Sequence, residues 1–309
     1  MRDSTAQILS GAGASEGTSM SVRATTPVFI LHWNRPEECL RTVHALRAQT
    51  PRLSIRVIDN ASDPDLLRSL AERLPEDVKL IRLAENRGWG GAFNVVLQNW
   101  LQTEEGEFCF IGAHDALPAE ASLSMLIDSM QKDPKLGVVC PEYGAPEVPR
   151  FSRLRYVRIT PVEPRPSGTV EPVDLPNGTL MLFRRQCLQD IGLFDERYFA
   201  YGDEHEIGLR ARRQHWKVAI VWGSVVLNPG TWTSNWTRSY LFTRNSLLLV
   251  RTYAGKWAAT VRLLSMIPNT LRMWMVHPAE GYAFSAHARF AGMRDFVMGR
   301  YGSPPAHHR

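Results

Sequence analysis

Four short apolar runs, each ending in polar or charged residues and separated by helical patterns, constrain this chain more than any other feature. Residues 27–31 read as a buried strand; after a turn at Asn34-Arg35-Pro36, Leu40, Val43 and Leu46 share one helix face. Residues 55–58 form a second strand, and Asp63 caps a helix that begins at Pro64 and repeats Leu66, Leu70 and Leu74. A third strand spans 80–83, followed by the loop 85–91 and a helix carrying Ala92, Phe93, Val96, Leu97 and Trp100. The fourth strand is 108–111. This order predicts an α/β fold, an open, mostly parallel Rossmann-like sheet with helices on both faces. In such sheets the ligand lies beyond the carboxyl ends of the strands. Trp33-Asn34-Arg35, Asp59-Asn60, Asn86-Arg87-Gly88 and His114-Asp115 occupy those ends and converge on one edge.

Beyond the fourth strand, Pro118 reads as a helix start. The stretch 141–176 holds eight of the 20 prolines and no periodicity, so it is a surface loop or part of an acceptor pocket. Order resumes with a strand at 179–183, a helix around 185–191, a helix opened by Asp203-Glu204-His205-Glu206 and a strand at 217–222. The remainder is basic, aromatic and helical. No apolar run approaches the ~20 residues of a transmembrane helix. Residues 1–24, rich in Ser, Gly, Ala and Thr, lack the apolar core of a secretory signal. They read as a disordered leader, with Met20 as an alternative start.

The net charge of +5 conceals an asymmetry. Residues 207–309 carry 14 Lys and Arg against only Glu280 and Asp295, while residues 1–206 carry 22 basic and 29 acidic residues. Such polarity suggests an acidic catalytic part and a basic part that meets something anionic. Trp232, Trp236, Trp257 and Trp274 lie among the basic residues, as in a core-forming helix pair or a surface lying on anionic lipid. A third reading has Arg244 reaching a diphosphate. Nucleic-acid binding is disfavoured, because the basic residues are dispersed and no recognised module accompanies them. Cys39, Cys109, Cys140 and Cys187 have no metal-site spacing and read as buried thiols of a reducing cytosol.

Several residues carry candidate chemistry. In the loop 85–94, Gly88-Trp89-Gly90-Gly91 precedes a helix. Its amides either face an anion or form a tight turn that lets helix and sheet approach. It does not follow the first strand, as a dinucleotide fingerprint does, and no early glycine-rich, Lys-containing loop suggests nucleotidyl transfer. Asp115 is a turn residue or the holder of a divalent ion against a diphosphate. The acids at 203–206 are either favourable charges at a helix start or include a general base for an acceptor hydroxyl.

Residues 28–36 with 57–62 resemble the opening of the family 2 inverting glycosyltransferases of the GT-A fold. Residues 85–94 resemble their glycine-rich donor loop, 178–185 with 192–199 their acceptor-side segment, and 201–210 their late acidic motif. Asn228-Pro229-Gly230 and 240–245 are similar to the rhamnosyltransferase-like branch. The resemblance covers about residues 27–300, and its ordered succession is more specific than any one motif.

The resemblance implies a GT-A domain over 25–235, with a nucleotide-sugar-binding half (25–140) and an acceptor half (141–235), followed by a basic helical region, 236–309. It makes Asp59 the reader of the base, beside Trp33, Asn34 and Arg35. Asn60, Asn86, Arg87, Gly88, Trp89, Asn94 and His114 join the donor pocket, with Arg244 on the diphosphate. Asn177, Gly178 and Trp232 face the acceptor. Asp115 becomes the metal ligand for Mg²⁺ or Mn²⁺, Glu204 the catalytic base and Asp203 its companion. Four positions depart from the pattern: Ala113 and His114 replace the earlier metal-motif residues, Asn228 replaces a histidine, and Glu204 replaces an aspartate. The implied enzyme is an inverting hexosyltransferase moving a sugar from dTDP-rhamnose or a UDP-hexose to a hydroxyl in glycan or natural-product biosynthesis. The competing reading is a catalytically impaired nucleotide-sugar-binding protein. The expected location is the cytoplasm, with peripheral contact at the inner membrane face through the basic region.

Overall fold

The computed structural model describes residues 25–50, 52–230, 233–276 and 283–305; the expected leader lies outside them. The first half alternates as read: β1 (Thr26–His32), α1 (Pro36–Arg47), β2 (Leu53–Asp59), α2 (Pro64–Ala71), β3 (Lys79–Arg82), α3 (Gly88–Thr103) and β4 (Phe108–Ala113). Asp63 caps α2 by accepting from the Asp65 amide at 3.0 Å. Leu74 falls beyond that helix.

The chain continues through β5 (Leu117–Pro118), α4 (Ser122–Lys132), β6 (Leu136–Pro141), β7 (Glu147–Ser152), β8 (Tyr156–Pro161) and β9 (Val170–Pro172). It is completed by β10 (Leu180–Arg184), α5 (Arg185–Ile191), α6 (Asp203–Arg213), β11 (Lys217–Val221), β12 (Val226–Leu227), α7 (Asn235–Val276) and α8 (Ala286–Val297). Pro118 does not open a helix: it pairs with Val226 in a small ribbon, and α4 starts at Ser122. The proline-rich excursion holds a β7–β8 hairpin and an edge strand. Its prolines fit those places, since edges and hairpins tolerate a missing amide donor.

The main sheet has eight strands in the order β3-β2-β1-β4-β10-β6-β11-β9. Pairs β1–β2, β2–β3, β1–β4 and β6–β11 are parallel; β10 runs antiparallel between β4 and β6, and β9 antiparallel on the edge. Strand alternation sends Val28, Ile30 and Val57 into a core with α1 and α4, and Phe29, Leu31 and Ile58 into a second core with α3 and α6. Burial on both faces explains why the strands read as unbroken apolar runs. All four cysteines are free thiols buried within the protein.

The last two helices form a separate layer. α7 breaks at Gly255, whose φ of 92° and ψ of 170° are not helical. Its first half is buried against the sheet domain, while Trp257, Leu264, Leu271 and Trp274 on the second half are exposed. Among the described residues no helix is long and apolar enough to cross a membrane.

Candidate active site

The polar strand ends do meet. Two adjoining hollows of about 330 and 510 Å³ share Trp33, Trp89, Ala113, His114 and Tyr201, forming one cleft along the carboxyl ends of β1, β2 and β4. Asn60, Asn86 and Gly88 line the smaller hollow; Asn34, Arg35, Asp115, Asn177, Gly178, Asp203 and Glu204 line the larger.

Local hydrogen bonds join the loops into this wall. The Asn60 amide donates to Asn86 Oδ1 at 3.0 Å and the Gly88 carbonyl at 3.1 Å, and its oxygen accepts from the Arg87 amide at 2.9 Å. Gly88 has φ +71°, and a Cβ there would sit 2.1 Å from the Phe199 carbonyl oxygen, so only glycine fits. The amides opening α3 are occupied by protein groups: Gly88 donates to Asn86 Oδ1, Trp89 to the Phe199 carbonyl and Gly90 to Asp203 Oδ2. The close-approach reading of the glycine loop therefore describes it better than the anion reading.

Four residues expected at the donor lie behind the cleft. Asp59 is buried, with its carboxylate on His32 Nδ1 at 3.0 Å and the Ser62 amide at 3.3 Å. Burial alone raises its pKa, but bonds to His32 and Ser62 outweigh that and hold it below the ordinary value. His32 Nε2 accepts from the Arg35 amide at 3.1 Å, so Asp59 supports the 33–35 turn rather than lining the cavity. Arg87 pairs with Glu196 at 3.1 Å. Asn94 brackets Phe194, donating to its carbonyl at 3.0 Å and accepting from its amide at 2.9 Å. Both are drawn away because the 194–199 segment offers them near partners.

Arg244 is the largest correction. It is fully buried and bonds to the carbonyls of Tyr198 (3.1 Å) and Arg197 (3.3 Å), Asn245 Oδ1 (3.0 Å) and Tyr240 Oη (3.3 Å). Asn245 donates to the carbonyls of Tyr198, Ala200 and Tyr201, each at 2.8 Å. These side chains hold a loop in which Phe199 (φ 66°) and Tyr201 (φ 63°) are left-handed, a strained backbone that needs such support. Phe199, Ala200 and Tyr201 in turn line the cleft. Trp232 lies outside the described residues.

The carboxyl pair sits at the start of α6. Asp203 is buried, with Oδ2 on the Gly90 amide and Oδ1 without a partner. Burial first, and then the neighbouring Glu204 charge, push its pKa well above the ordinary value. Burial raises Glu204 as well, but His205, a hydrogen bond from Asp203 and the Gly202 amide outweigh this and leave it below its ordinary value. The environment thus favours the ionised form of Glu204 and the protonated form of Asp203, an arrangement suited to proton acceptance at Glu204. Gly178 faces it closely: a Cβ there would lie 3.1 Å from Glu204 Cγ.

His205 carries no assigned role in the sequence reading, but its Nδ1 bonds to Tyr156 Oη and its Nε2 lies 3.7 Å from Glu204 Oε1. Burial lowers its pKa. His114 is likewise pushed down to about 4, by burial first and then by His32. Its Nε2 is buried without a partner. His32 was also missed; its place at the end of β1, before Trp33, was the available signal.

The Asn228 side-chain amide lies 3.0 Å from Asp115 Oδ2 and, with its nitrogen turned that way, donates to it and to the Gly230 carbonyl at 2.7 Å. Among the described residues no group of three or more His, Cys, Asp and Glu side chains could hold a metal. Asp115 alone is then left as a carboxylate ligand, which suits Mg²⁺, an ion that binds through one or two carboxylates together with substrate phosphates. The donor set therefore fits an ion shared with a diphosphate.

A mixed sheet with a polar cleft across its strand ends, an acid near the end of β4 and a carboxyl pair opposite defines a GT-A-type transferase. The model of "Glycosyl transferase family 2" matches residues 28–192, more than half of the chain, and the chain belongs to that family. Its class is accordingly that of the glycosyltransferases. It is 23% identical over 269 residues to an N-acetylglucosaminyl-diphospho-decaprenol L-rhamnosyltransferase of Mycobacterium tuberculosis, covering 76% of this chain and 87% of that one. It is also 23% identical over 167 residues to the low-salt glycan biosynthesis hexosyltransferase Agl10 of Haloferax volcanii, covering 52% and 53%. Its fold matches the mannosyltransferase PcManGT of Pyrobaculum calidifontis, solved with GDP-Man and Mn²⁺, at TM-score 0.56, with 16% identity over 91% of this chain and 89% of that chain. It also matches GalNAc-T7 with UDP, GalNAc and Mn²⁺ at TM-score 0.63, with 17% identity over 91% and 58%.

Proposed function

We propose that the chain transfers a hexose, with inversion at its anomeric carbon, from a nucleoside diphosphate sugar to a hydroxyl of a phosphate-linked glycan acceptor. The supporting observation is Glu204 in the same hollow as Asp115, with Gly178 against it and a pKa held below the ordinary carboxylate value. Glu204 takes the proton of the acceptor hydroxyl as its oxygen attacks the anomeric carbon. The bond to the nucleoside diphosphate breaks on the opposite face, and the diphosphate leaves with the electron pair. Asp203, whose buried carboxyl favours the protonated form, ties the start of α6 beside Glu204 to the Gly90 amide.

Asp115 would hold Mg²⁺ or Mn²⁺, which supplies neutralising charge to the leaving diphosphate when bound. Arg35, on the same wall, adds fixed positive charge. The rhamnosyltransferase relative favours dTDP-rhamnose as donor, with a UDP-hexose as the competing choice, and its acceptor suggests a sugar diphosphate carried on lipid. The exposed apolar residues of α7 support peripheral contact with a membrane on its cytoplasmic face.

The test is a panel of nucleotide sugars followed by thermal shift and nucleoside diphosphate release, with and without EDTA. Stabilisation by dTDP- or UDP-sugars and acceptor-dependent release are expected. A panel that leaves the melting temperature unmoved would overturn the donor assignment.

A further inference from the structure

A second cavity, about 660 Å³, lies between the two halves of α7, the Ala283–Arg289 stretch and the β7–β8 turn. It shares no lining residue with the cleft. Arg155, Arg238, Arg262 and Arg289 all line it, together with Ser239, Thr243, Ser246, Ser265 and Asn269, and no described lining residue is acidic. We propose that this arginine-lined cavity is an anion site that takes the phosphate or diphosphate of the acceptor, an amphiphile whose hydroxyl reaches Glu204. The proposal rests on the transferase reading above.

Each arginine is placed for this. Arg262 is held by Ser246 Oγ at 2.9 Å and the Leu154 carbonyl at 3.3 Å, and stands 5.7 Å over the Tyr156 ring. Arg289 is braced on Thr270 Oγ1 at 2.8 Å and Asn269 Oδ1 at 3.4 Å. The partners of Arg262 are neutral, so they orient its fork without cancelling its charge. Arg238 Nε is buried with no hydrogen-bond partner, and Arg155 is exposed at the rim. Burial, with the Arg289 charge adding to it, pushes the Arg262 guanidinium down to about 10. Collecting like charges in a partly buried space is unfavourable until an anion enters, and arginine forks match phosphate oxygens.

Position ties the cavity to the reaction. Tyr156 is part of its wall, bonds to His205 on the other side and so stands one side chain away from Glu204. Phe242, another wall residue, packs on Tyr201 of the cleft with ring centroids 5.0 Å apart. An acceptor spanning this layer presents its sugar hydroxyl on one side and its phosphate on the other. The exposed Leu264, Ile267 and Leu271, beside the lining residues Ser265, Met266 and Asn269, favour a phosphate that bears a hydrocarbon chain.

The experiment is calorimetric titration of the full chain with inorganic pyrophosphate and with farnesyl diphosphate, in EDTA and saturating UDP so that the donor side is filled and metal bridging removed. Both probes are expected to bind, farnesyl diphosphate at least tenfold more tightly. Arg262→Gln should weaken both at least tenfold; Arg155→Gln, at an exposed rim position with no folding role, should weaken both several-fold; Asp115→Asn should leave them unchanged. Absence of binding, arginine variants that bind like wild type, or loss in Asp115→Asn would each overturn the proposal. Capture of the protein by phosphatidylglycerol vesicles that pyrophosphate does not displace would overturn it too, assigning the arginines to a lipid surface. Failure of every nucleotide sugar to bind sinks the donor reading separately, because the pyrophosphate titration is read without a sugar donor.

Discussion

The amide of Gly90 donates to Asp203 Oδ2 at 3.0 Å, joining the start of α3 to the start of α6 across 113 residues of chain. The positive end of the α3 dipole thereby faces the carboxyl group beside the reactive Glu204. The Asp203 pKa is nevertheless raised, because burial and the adjacent charge exceed what one amide supplies.

Removing the proton acceptor should stop transfer without emptying the donor site. Glu204→Gln is expected to lower the transfer rate by about 10²–10⁴. Its affinity for nucleoside diphosphate, read by calorimetry, should match wild type. Near-normal turnover would show that another group takes the proton.

Asp203 makes a prediction about stability. Its folded pKa lies above the ordinary 3.8, so the native state binds the extra proton as pH rises through that range. The associated stability is present below the unfolded value and is lost as pH climbs through the folded value. Asp203→Asn keeps a neutral side chain there, so melting curves of the variant should vary less between acid and alkaline pH. Parallel curves for the two proteins would contradict a protonated Asp203.

His205 should set the acid limit of activity. Its charge is among the influences that lower Glu204. His205→Gln is therefore expected to move the acid limb of the pH–rate profile upward, with little change on the alkaline side. An unmoved acid limb would leave His205 with a packing role alone.

Asp115→Ala should weaken nucleoside diphosphate binding in Mg²⁺ about tenfold or more, equivalent to ~1.4 kcal/mol, and make it insensitive to EDTA. A variant that still responds to EDTA would place the metal elsewhere.

Arg244→Met tests the reassignment of that side chain. It strands the Tyr198 and Arg197 carbonyls and should cost about 3 kcal/mol in chemical denaturation. Variant protein that remains folded should retain donor affinity to within a few fold; a selective loss of affinity at unchanged stability would restore the diphosphate role.

The layout was legible where the physics is local. Continuous apolar strands such as residues 27–31, a capped start at Asp63 and polar strand ends predicted both the sheet and the edge that carries the cleft. Asn60, Asn86 and Asp115 reached that cleft because their position follows directly from strand direction. What stayed hidden was the direction of side chains whose partners are distant in sequence. Arg244 meets Tyr198 and Arg197, Asn94 meets Phe194, and Asp59 meets His32, and none of these pairings leaves a local pattern. The α4–β6 pair also went unread, although Leu123, Leu126 and Met130 lie on one buried face.

The grip of Arg244 and Asn245 on the 197–201 loop bears on how such a chain can be divided or recombined. The cleft wall owes its left-handed backbone to side chains that arrive some forty residues later, from a helix with no lining role at Arg244. A catalytic core excised before α7, or grafted onto another protein's terminal helices, would keep every reactive group and lose the scaffold that shapes the pocket. Changes in sugar preference are thus open to substitutions in α7 as well as in the cleft.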